Sequence, residues 1–144
     1  MSADCVVDAS VGIKLFLAEP LSERADVLFA QLSTAPPARF YVPDLFFIEC
    51  TNVLWKYVQR FTYPPETARQ DIADLVRLPL QSVSTASIAE DALALAIAHK
   101  ISAYDAAYVA LAQNLSLPLV TADEVLVRHL AETGLDVRFL ADWP

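Results

Sequence analysis

The chain has 144 residues, the size of one compact domain, and we expect a single domain over residues 1–144. Hydrophobic residues make up 56% of it, too many for a disordered protein, and its apolar runs are too short for a membrane-spanning helix. The formal net charge of −8 favours solubility and argues against a basic nucleic-acid-binding surface. That objection would fall if some of the carboxylates held metal ions, which invert the local charge.

The N-terminus and the cysteines predict a cytoplasmic protein. Residues 1–4 contain no basic segment, so a signal peptide is not expected. Cys5 and Cys50 provide no disulfide framework, and we expect both as buried thiols, one in a strand and one in a helix.

Five short apolar segments alternate with helical patterns, which predicts parallel strands buried on both faces. The strands are predicted at residues 5–7, 40–42, 80–83, 117–120 and 137–139. Helices are predicted at residues 22–33, from near Pro43 to Phe61, at 65–77, from a Ser87–Glu90 capping box to near Lys100, and from Ser102 onward. This order predicts an α/β domain, a three-layer sandwich around a parallel sheet.

Four acidic residues are expected to meet at one edge of this sheet. Asp8 directly follows the first strand and Asp123 follows the fourth, and the carboxyl ends of parallel strands share an edge. Crossover helices begin at that edge; Asp105 lies in the first turn of one, and Glu49 about two turns into another. Crowded carboxylates repel one another unless a hard cation lies among them, so we expect Mg²⁺ or Mn²⁺ there. Such ions activate water for phosphodiester hydrolysis.

Some of these acids also have a purely structural interpretation. Asp105 and Asp123 each lie in a segment of capping-box form. Taken alone, Asp105 is better explained by a helix cap than by function, whereas Asp123 suits a turn and a functional site equally. Glu49 is the strongest single candidate, because apolar side chains surround it and a buried lone carboxylate is costly unless it is paired or coordinated.

Two hydroxyl side chains accompany the acids. Ser10, two residues after Asp8, suits either a helix cap, which we favour, or a group that orients the acid. Thr121, two residues before Asp123, is a second possible supporting residue.

Candidates for contact with a phosphate backbone follow Glu49 along its helix. Asn52, Lys56 and Arg60 share its helical face and would either guide a phosphate backbone or form an ordinary solvated face. Lys14 is a further candidate for phosphate contact. The nearby aromatic side chains are interpreted as core or dimer surface rather than as base-stacking platforms: Phe46, Phe47 and Trp55.

Missing motifs exclude several classes of site. Gly12 and Gly134 are the only glycines, so neither a dinucleotide-binding G-x-G-x-x-G loop nor a Walker loop is present. No G-x-S-x-G elbow supports a hydrolase triad. Two histidines and two cysteines without ligand spacing do not favour zinc.

At these motifs the chain resembles the PIN domain, and within it the VapC-like toxins of type II toxin–antitoxin systems. The resemblance is carried by residues 6–10, by Glu49 in a helix, and by residues 104–112 and 119–123, and it covers essentially the whole chain. It implies a five-stranded parallel sheet flanked by helices, and an Mg²⁺-dependent endoribonuclease in which metal-activated water cleaves single-stranded or structured RNA. The catalytic and metal-binding residues that it implies are Asp8, Glu49, Asp105 and Asp123. It further implies a homodimer and a cognate antitoxin whose basic tail reaches the acidic site.

Two other functions compete with this one. A phosphatase could use Asp8 as its nucleophile, but the haloacid-dehalogenase phosphatases have a second aspartate two residues later, where this chain has Ser10. A catalytically silent PIN-like domain would bind protein without cleaving RNA, and its acids would tolerate replacement.

Overall fold

A computed structural model describes residues 3–144, which form one five-stranded sheet between layers of helices. The strands are β1 (Cys5–Val7), β2 (Phe40–Pro43), β3 (Gln81–Val83), β4 (Leu119–Thr121) and β5 (Val137–Phe139). The helices are α1 (Ala9–Gly12), α2 (Ser22–Ala30), α3 (Leu45–Phe61), α4 (Pro65–Arg77), α5 (Ala89–His99), α6 (Ala103–Leu115) and α7 (Glu124–His129). Among residues 3–144, every helix is too short or too polar to cross a lipid bilayer.

The sheet has the order β3-β2-β1-β4-β5, and every neighbouring pair is parallel. The predicted α/β sandwich with a five-stranded parallel sheet is therefore confirmed. The chain builds outward from β1 to β3 and then returns to β4 on the other side of β1. The strand order thus reverses between β1 and β4, and their carboxyl ends border the crevice where ligands of such sheets bind.

Burial follows the position of each strand in the sheet. β1 and β4 at the centre are buried along their whole length, whereas the edge strands β3 and β5 are partly exposed. The composition agrees with this, since the central strands are almost entirely apolar and the edge strands carry Gln81 and Arg138. Cys5 in β1 and Cys50 in α3 are buried free thiols, as predicted.

Several predicted boundaries differ from the observed ones, among them those of the third helix, the fifth helix and the fourth strand. Pro43 is the last residue of β2, paired with Val83, and α3 begins two residues later. Ser87 caps no helix: it ends a short 3₁₀ turn capped by Ser84, and α5 follows from Ala89. The fourth strand starts at Leu119, because the chain leaves α6 through a left-handed residue, Ser116, and needs residues 117–118 to enter the sheet.

Helices α1 and α3 pack closely beside the crevice. α3 buries Phe46, Cys50 and Leu54, which lie four residues apart on one face. The Phe46 ring lies directly against Gly12 of α1, where the glycine has helical dihedral angles and leaves room for the ring. This contact fixes the distance between the segment after β1 and the second turn of α3.

Candidate active site

Asp8 lies at the centre of the crevice, at the junction of β1 and α1. The residue is only 8% exposed. Its Oδ2 atom accepts hydrogen bonds from Ser10 Oγ and from Thr121 Oγ1, both at 2.7 Å. The carboxylate therefore has a fixed orientation, and hydroxyl groups of two different segments hold it.

The same hydroxyl groups join the ends of β1 and β4. Ser10 Oγ accepts a hydrogen bond from the Ala122 amide, and Thr121 Oγ1 accepts one from the Asp123 amide, both at 3.0 Å. The preferred sequence interpretation of Ser10 as a helix cap was wrong, because Asp8 occupies the N-cap position and Ser10 lies within α1. Ser10 instead orients the acid, which was the alternative interpretation.

Glu49 is half-buried in the second turn of α3 and is held by a residue of α6. The hydroxyl of Tyr108 donates a hydrogen bond of 2.6 Å to Glu49 Oε1. Tyr108 is only 1% exposed. The sequence analysis did not single out Tyr108 for this role, although a buried tyrosine usually needs a partner for its hydroxyl.

Asp105 and Asp123 lie at helix starts, and each combines a local role with a place in the crevice. Ser102 caps α6, because its hydroxyl oxygen accepts a hydrogen bond of 3.1 Å from the backbone amide of Asp105. The predicted helix cap is therefore present, and it involves the backbone of Asp105. Asp123 itself caps α7, because its Oδ1 accepts the Leu126 amide at 3.1 Å. Asp105 is half-buried and Asp123 is exposed.

The four acids lie within electrostatic range, each linked to at least one other by the effect of charge on pKa. Burial raises the pKa of Asp8; hydrogen bonds from Thr121 and Ser10 oppose this, and the charge of Asp123 adds to it. Burial likewise raises the pKa of Glu49, against the Tyr108 hydrogen bond, and the charges of Asp8 and Asp105 raise it further.

Asp105 belongs to the same group of charges. Burial raises its pKa, and the charges of Asp8 and Asp123 raise it further, whereas the hydrogen bond to Ser102 lowers it. The structure thus brings together all four acids that the sequence singled out, from four separate elements.

The four carboxylates are suitable ligands for a hard cation in an open site. Carboxylate oxygens are the ligands that Mg²⁺ and Mn²⁺ prefer, and a cation would relieve the repulsion among these charges. Within residues 3–144, no three His, Cys, Asp or Glu side chains form a ready cage for a metal ion. Mg²⁺ tolerates this, because it usually keeps several waters and binds through one or two carboxylates plus substrate phosphates.

The basic residues proposed from sequence differ in their surroundings. Lys14 forms an ion pair of 3.2 Å with Glu19, whose other oxygen accepts the Tyr57 hydroxyl at 2.6 Å. The Lys14 ammonium group therefore links the segment after α1 to α3 through Glu19 and Tyr57. Lys56 and Arg60 are exposed on α3, and neither forms an ion pair within residues 3–144.

The fold and the site together define a parallel α/β domain with a group of acidic side chains at its topological switch point. A family model described as the PIN domain matches residues 5–131. The chain is 36% identical over 129 residues to "Ribonuclease VapC3" of Pyrobaculum aerophilum, a match that covers 88% of this chain and 92% of that protein. The chain therefore belongs to the PIN domain family.

Solved structures share the fold. A toxin–antitoxin complex from Klebsiella pneumoniae superposes with a TM-score of 0.66 at 20% identity, covering 95% of this chain and 98% of that one. Mycobacterium tuberculosis VapC20, described as a toxin that cleaves the sarcin–ricin loop, superposes with a TM-score of 0.67 at 16% identity and covers 92% of this chain and 96% of its own.

Proposed function

We propose that this protein is an Mg²⁺- or Mn²⁺-dependent endoribonuclease that acts as the toxin of a type II toxin–antitoxin pair. The observation that carries the proposal is the convergence of Asp8, Glu49, Asp105 and Asp123 at the β1–β4 crevice. The relative named as a ribonuclease, which aligns over most of both chains, supports the same activity.

The four carboxylates would hold the cation, and their neighbours prepare them for it. A bound divalent ion lowers the pKa of its water and neutralises charge on the phosphate. Ser10 and Thr121 stabilise the ionised form of Asp8 through hydrogen bonds, which offsets part of the cost of its burial. Tyr108 donates to Oε1 of Glu49, and the other oxygen, Oε2, has no hydrogen-bond partner among residues 3–144.

We further propose a protein antitoxin and a homodimer as the assembly. Structures of the same fold include toxin–antitoxin complexes, among them VapBC2 of Rickettsia felis bound to a DNA fragment from its promoter. The net charge of −8 suits a partner with a basic segment that reaches the acidic crevice.

Cleavage of a labelled RNA with Mg²⁺, with Mn²⁺ and with a chelator tests the activity directly. We expect cleavage only with a divalent ion, and at least about a hundredfold slower cleavage for Asp105→Asn, since metal chemistry supplies several kcal/mol of transition-state stabilisation. This variant should fold, because the backbone amide of residue 105, which donates to the capping Ser102 side chain, is kept.

Asp91→Asn is the matched control, because Asp91 lies in the first turn of the adjacent helix α5. It removes the same charge from the same helix position outside the crevice, and its rate should equal that of the wild type. Full activity of Asp105→Asn, or cleavage in the presence of the chelator, would contradict the proposal. A protein that binds an antitoxin but never cleaves RNA would instead be the silent PIN-like domain.

The Tyr108 hydroxyl gives a prediction for metal affinity. Tyr108→Phe removes only the hydrogen bond to Glu49, so we expect about tenfold weaker Mn²⁺ binding, the usual effect of losing a group that orients a ligand. Calorimetric titration with Mn²⁺ measures this without reference to activity. Tyr63→Phe is the control, because the Tyr63 hydroxyl donates to Asp71 on α4, away from the crevice. Equal Mn²⁺ affinity in both variants would show that the Tyr108 hydroxyl does not contribute to metal binding.

A further inference from the structure

A cavity of about 590 Å³ opens beside Glu49, between α3 and the first turn of α6. We call it the base pocket, and its lining residues are Ile48, Glu49, Thr51, Asn52, Trp55 and Tyr104. One wall is thus a carboxylate of the candidate active site, so any group in the pocket lies next to the position of the reacting phosphate.

The other walls are large apolar side chains that remain in contact with solvent. Trp55 is 58% exposed, Tyr104 67% and Ile48 69%. Of the two sequence interpretations of Trp55, core or dimer surface, the structure excludes the core, because α3 buries only the face that carries Phe46, Cys50 and Leu54. Two exposed aromatic rings beside a catalytic carboxylate provide flat surfaces on which a planar group can stack.

The pocket also contains a polar group without a partner. Asn52 is exposed, and its amide makes no hydrogen bond within residues 3–144. A side-chain amide offers one hydrogen-bond acceptor and two donors. This combination matches the edge of a nucleobase, which carries both donors and acceptors, better than it matches a phosphate or a hydrocarbon. Lys56 and Arg60 continue along α3 from this point, with free cationic groups for the sugar–phosphate backbone.

The charge of the chain indicates how an RNA would be held here. With a net charge of −8, the protein gains little from general attraction to phosphate. Stacking on aromatic side chains does not depend on net charge and contributes substantially per base. It is the kind of contact that an acidic nuclease needs in addition to its metal.

We propose that the base pocket holds one unpaired nucleobase of the substrate strand, stacked against Trp55 and Tyr104 with its edge facing Asn52. The inference rests on the proposed ribonuclease function and narrows its substrate to RNA with at least one unstacked base beside the cut. Bases inside a duplex are stacked and cannot enter such a pocket.

Tryptophan fluorescence gives a direct test of stacking. The chain has two tryptophans, and Trp143 is only 7% exposed, so Trp55 is the one open to quenching by a base. In Asp8→Asn protein, a single-stranded oligoadenylate should quench the fluorescence, and an abasic ribose–phosphate strand of equal length should not. The quenching should vanish in the Asp8→Asn, Trp55→Phe double variant.

Kinetics of otherwise wild-type protein give the second test. Trp55→Ala and Tyr104→Ala should each raise KM for the single-stranded RNA about tenfold, with kcat within about twofold, as expected for the loss of a stacking contact. Trp55→Phe should restore most of the affinity. Phe61→Ala is the matched control, because Phe61 is a 65% exposed aromatic residue on the same helix and does not line the pocket.

The outcomes separate this inference from the proposed function. Cleavage that depends on metal but is equally fast in the Trp55, Tyr104 and Phe61 variants would overturn the base pocket and leave the nuclease intact. Base-specific quenching without any cleavage by the wild type would leave the pocket intact and overturn the nuclease. Conversion of a dimer to a monomer by Trp55→Ala or Tyr104→Ala, measured by sedimentation, would assign the surface to a second copy of the chain and overturn the pocket.

Discussion

Asp8→Asn is expected to abolish RNA cleavage and to make the metal-free protein more stable. The loss of activity should be about a thousandfold or more, because the charge at the centre of the cation-binding group is gone and each 1.4 kcal/mol of lost stabilisation is a factor of ten. The fold should persist, since both hydroxyl donors address Oδ2 and the amide oxygen of asparagine can accept them in the same place. Gel-based cleavage assays and circular dichroism measure the two properties.

The gain in stability follows from the cost of the buried charge. Burial raises the pKa of Asp8 above its usual value near 4, so the folded state holds the proton more tightly than the unfolded state. Such a group favours folding at low pH, and this contribution is lost as the pH rises through the folded-state pKa. At neutral pH, removing the charge should therefore stabilise the metal-free protein and raise its Tm.

Comparison with another buried acid tests this explanation. Asp71 is 9% exposed and accepts the Tyr63 hydroxyl, but it lies on α4 outside the crevice. Asp71→Asn should keep full cleavage activity and should not gain stability at neutral pH. The Tm difference between Asp8→Asn and wild type should shrink as the pH falls toward 4 and also when saturating Mn²⁺ stabilises the wild type. A variant less stable than wild type at every pH would show that Asp8 supports the fold rather than a cation.

The sheet and the position of its four acids could be predicted because they follow from the alternation of apolar strands and amphipathic helices along the chain. Short apolar strands between amphipathic helices require a parallel sheet, and a parallel sheet places every strand end at one edge. Asp8 and Asp123 directly follow buried strands, so the topology alone brings them together. Asp105 in the first turn of its helix follows the same rule.

The supporting contacts could not be predicted because they join residues that are distant in sequence. Ser10 two residues after an acid looks locally like a cap, and its true partners include Ala122 on another strand end. The hydrogen bond of Tyr108 to Glu49 spans 59 residues. The sequence left Trp55 open between core and dimer surface; it is exposed because the helices that pack on α3 cover only one face of that helix.

Gly12→Ala is expected to destabilise the fold and to displace the candidate active site, because a side chain at position 12 has no room beside the Phe46 ring. A Cβ atom at this position would lie 2.6 Å from Cζ and 2.8 Å from Cε2 of Phe46. Phe46 is fully buried and packs edge-to-face against Phe47 at 5.2 Å between ring centroids, so its ring cannot swing away freely. The helix that follows Asp8 must then move away from α3, which carries Glu49.

Overpacking of this kind typically costs about 1–3 kcal/mol, so the free energy of unfolding measured in urea should fall by that amount. Cleavage should also slow by about 10- to 100-fold, since a displacement of about 1 Å between catalytic groups has effects of that order. Phe46→Leu in the same chain makes room for the new methyl group, and the double variant should recover activity relative to Gly12→Ala alone.

Gly134→Ala separates the steric effect from the general cost of replacing a glycine. Gly134 has φ of +82°, and a Cβ there would meet nothing within 4 Å. This replacement should cost about 1–2 kcal/mol through backbone strain and leave the cleavage rate unchanged. If Gly12→Ala instead loses stability without losing activity, the α1–α3 contact does not set the position of Glu49 relative to Asp8. The coupling of fold and site through Phe46 would then be wrong.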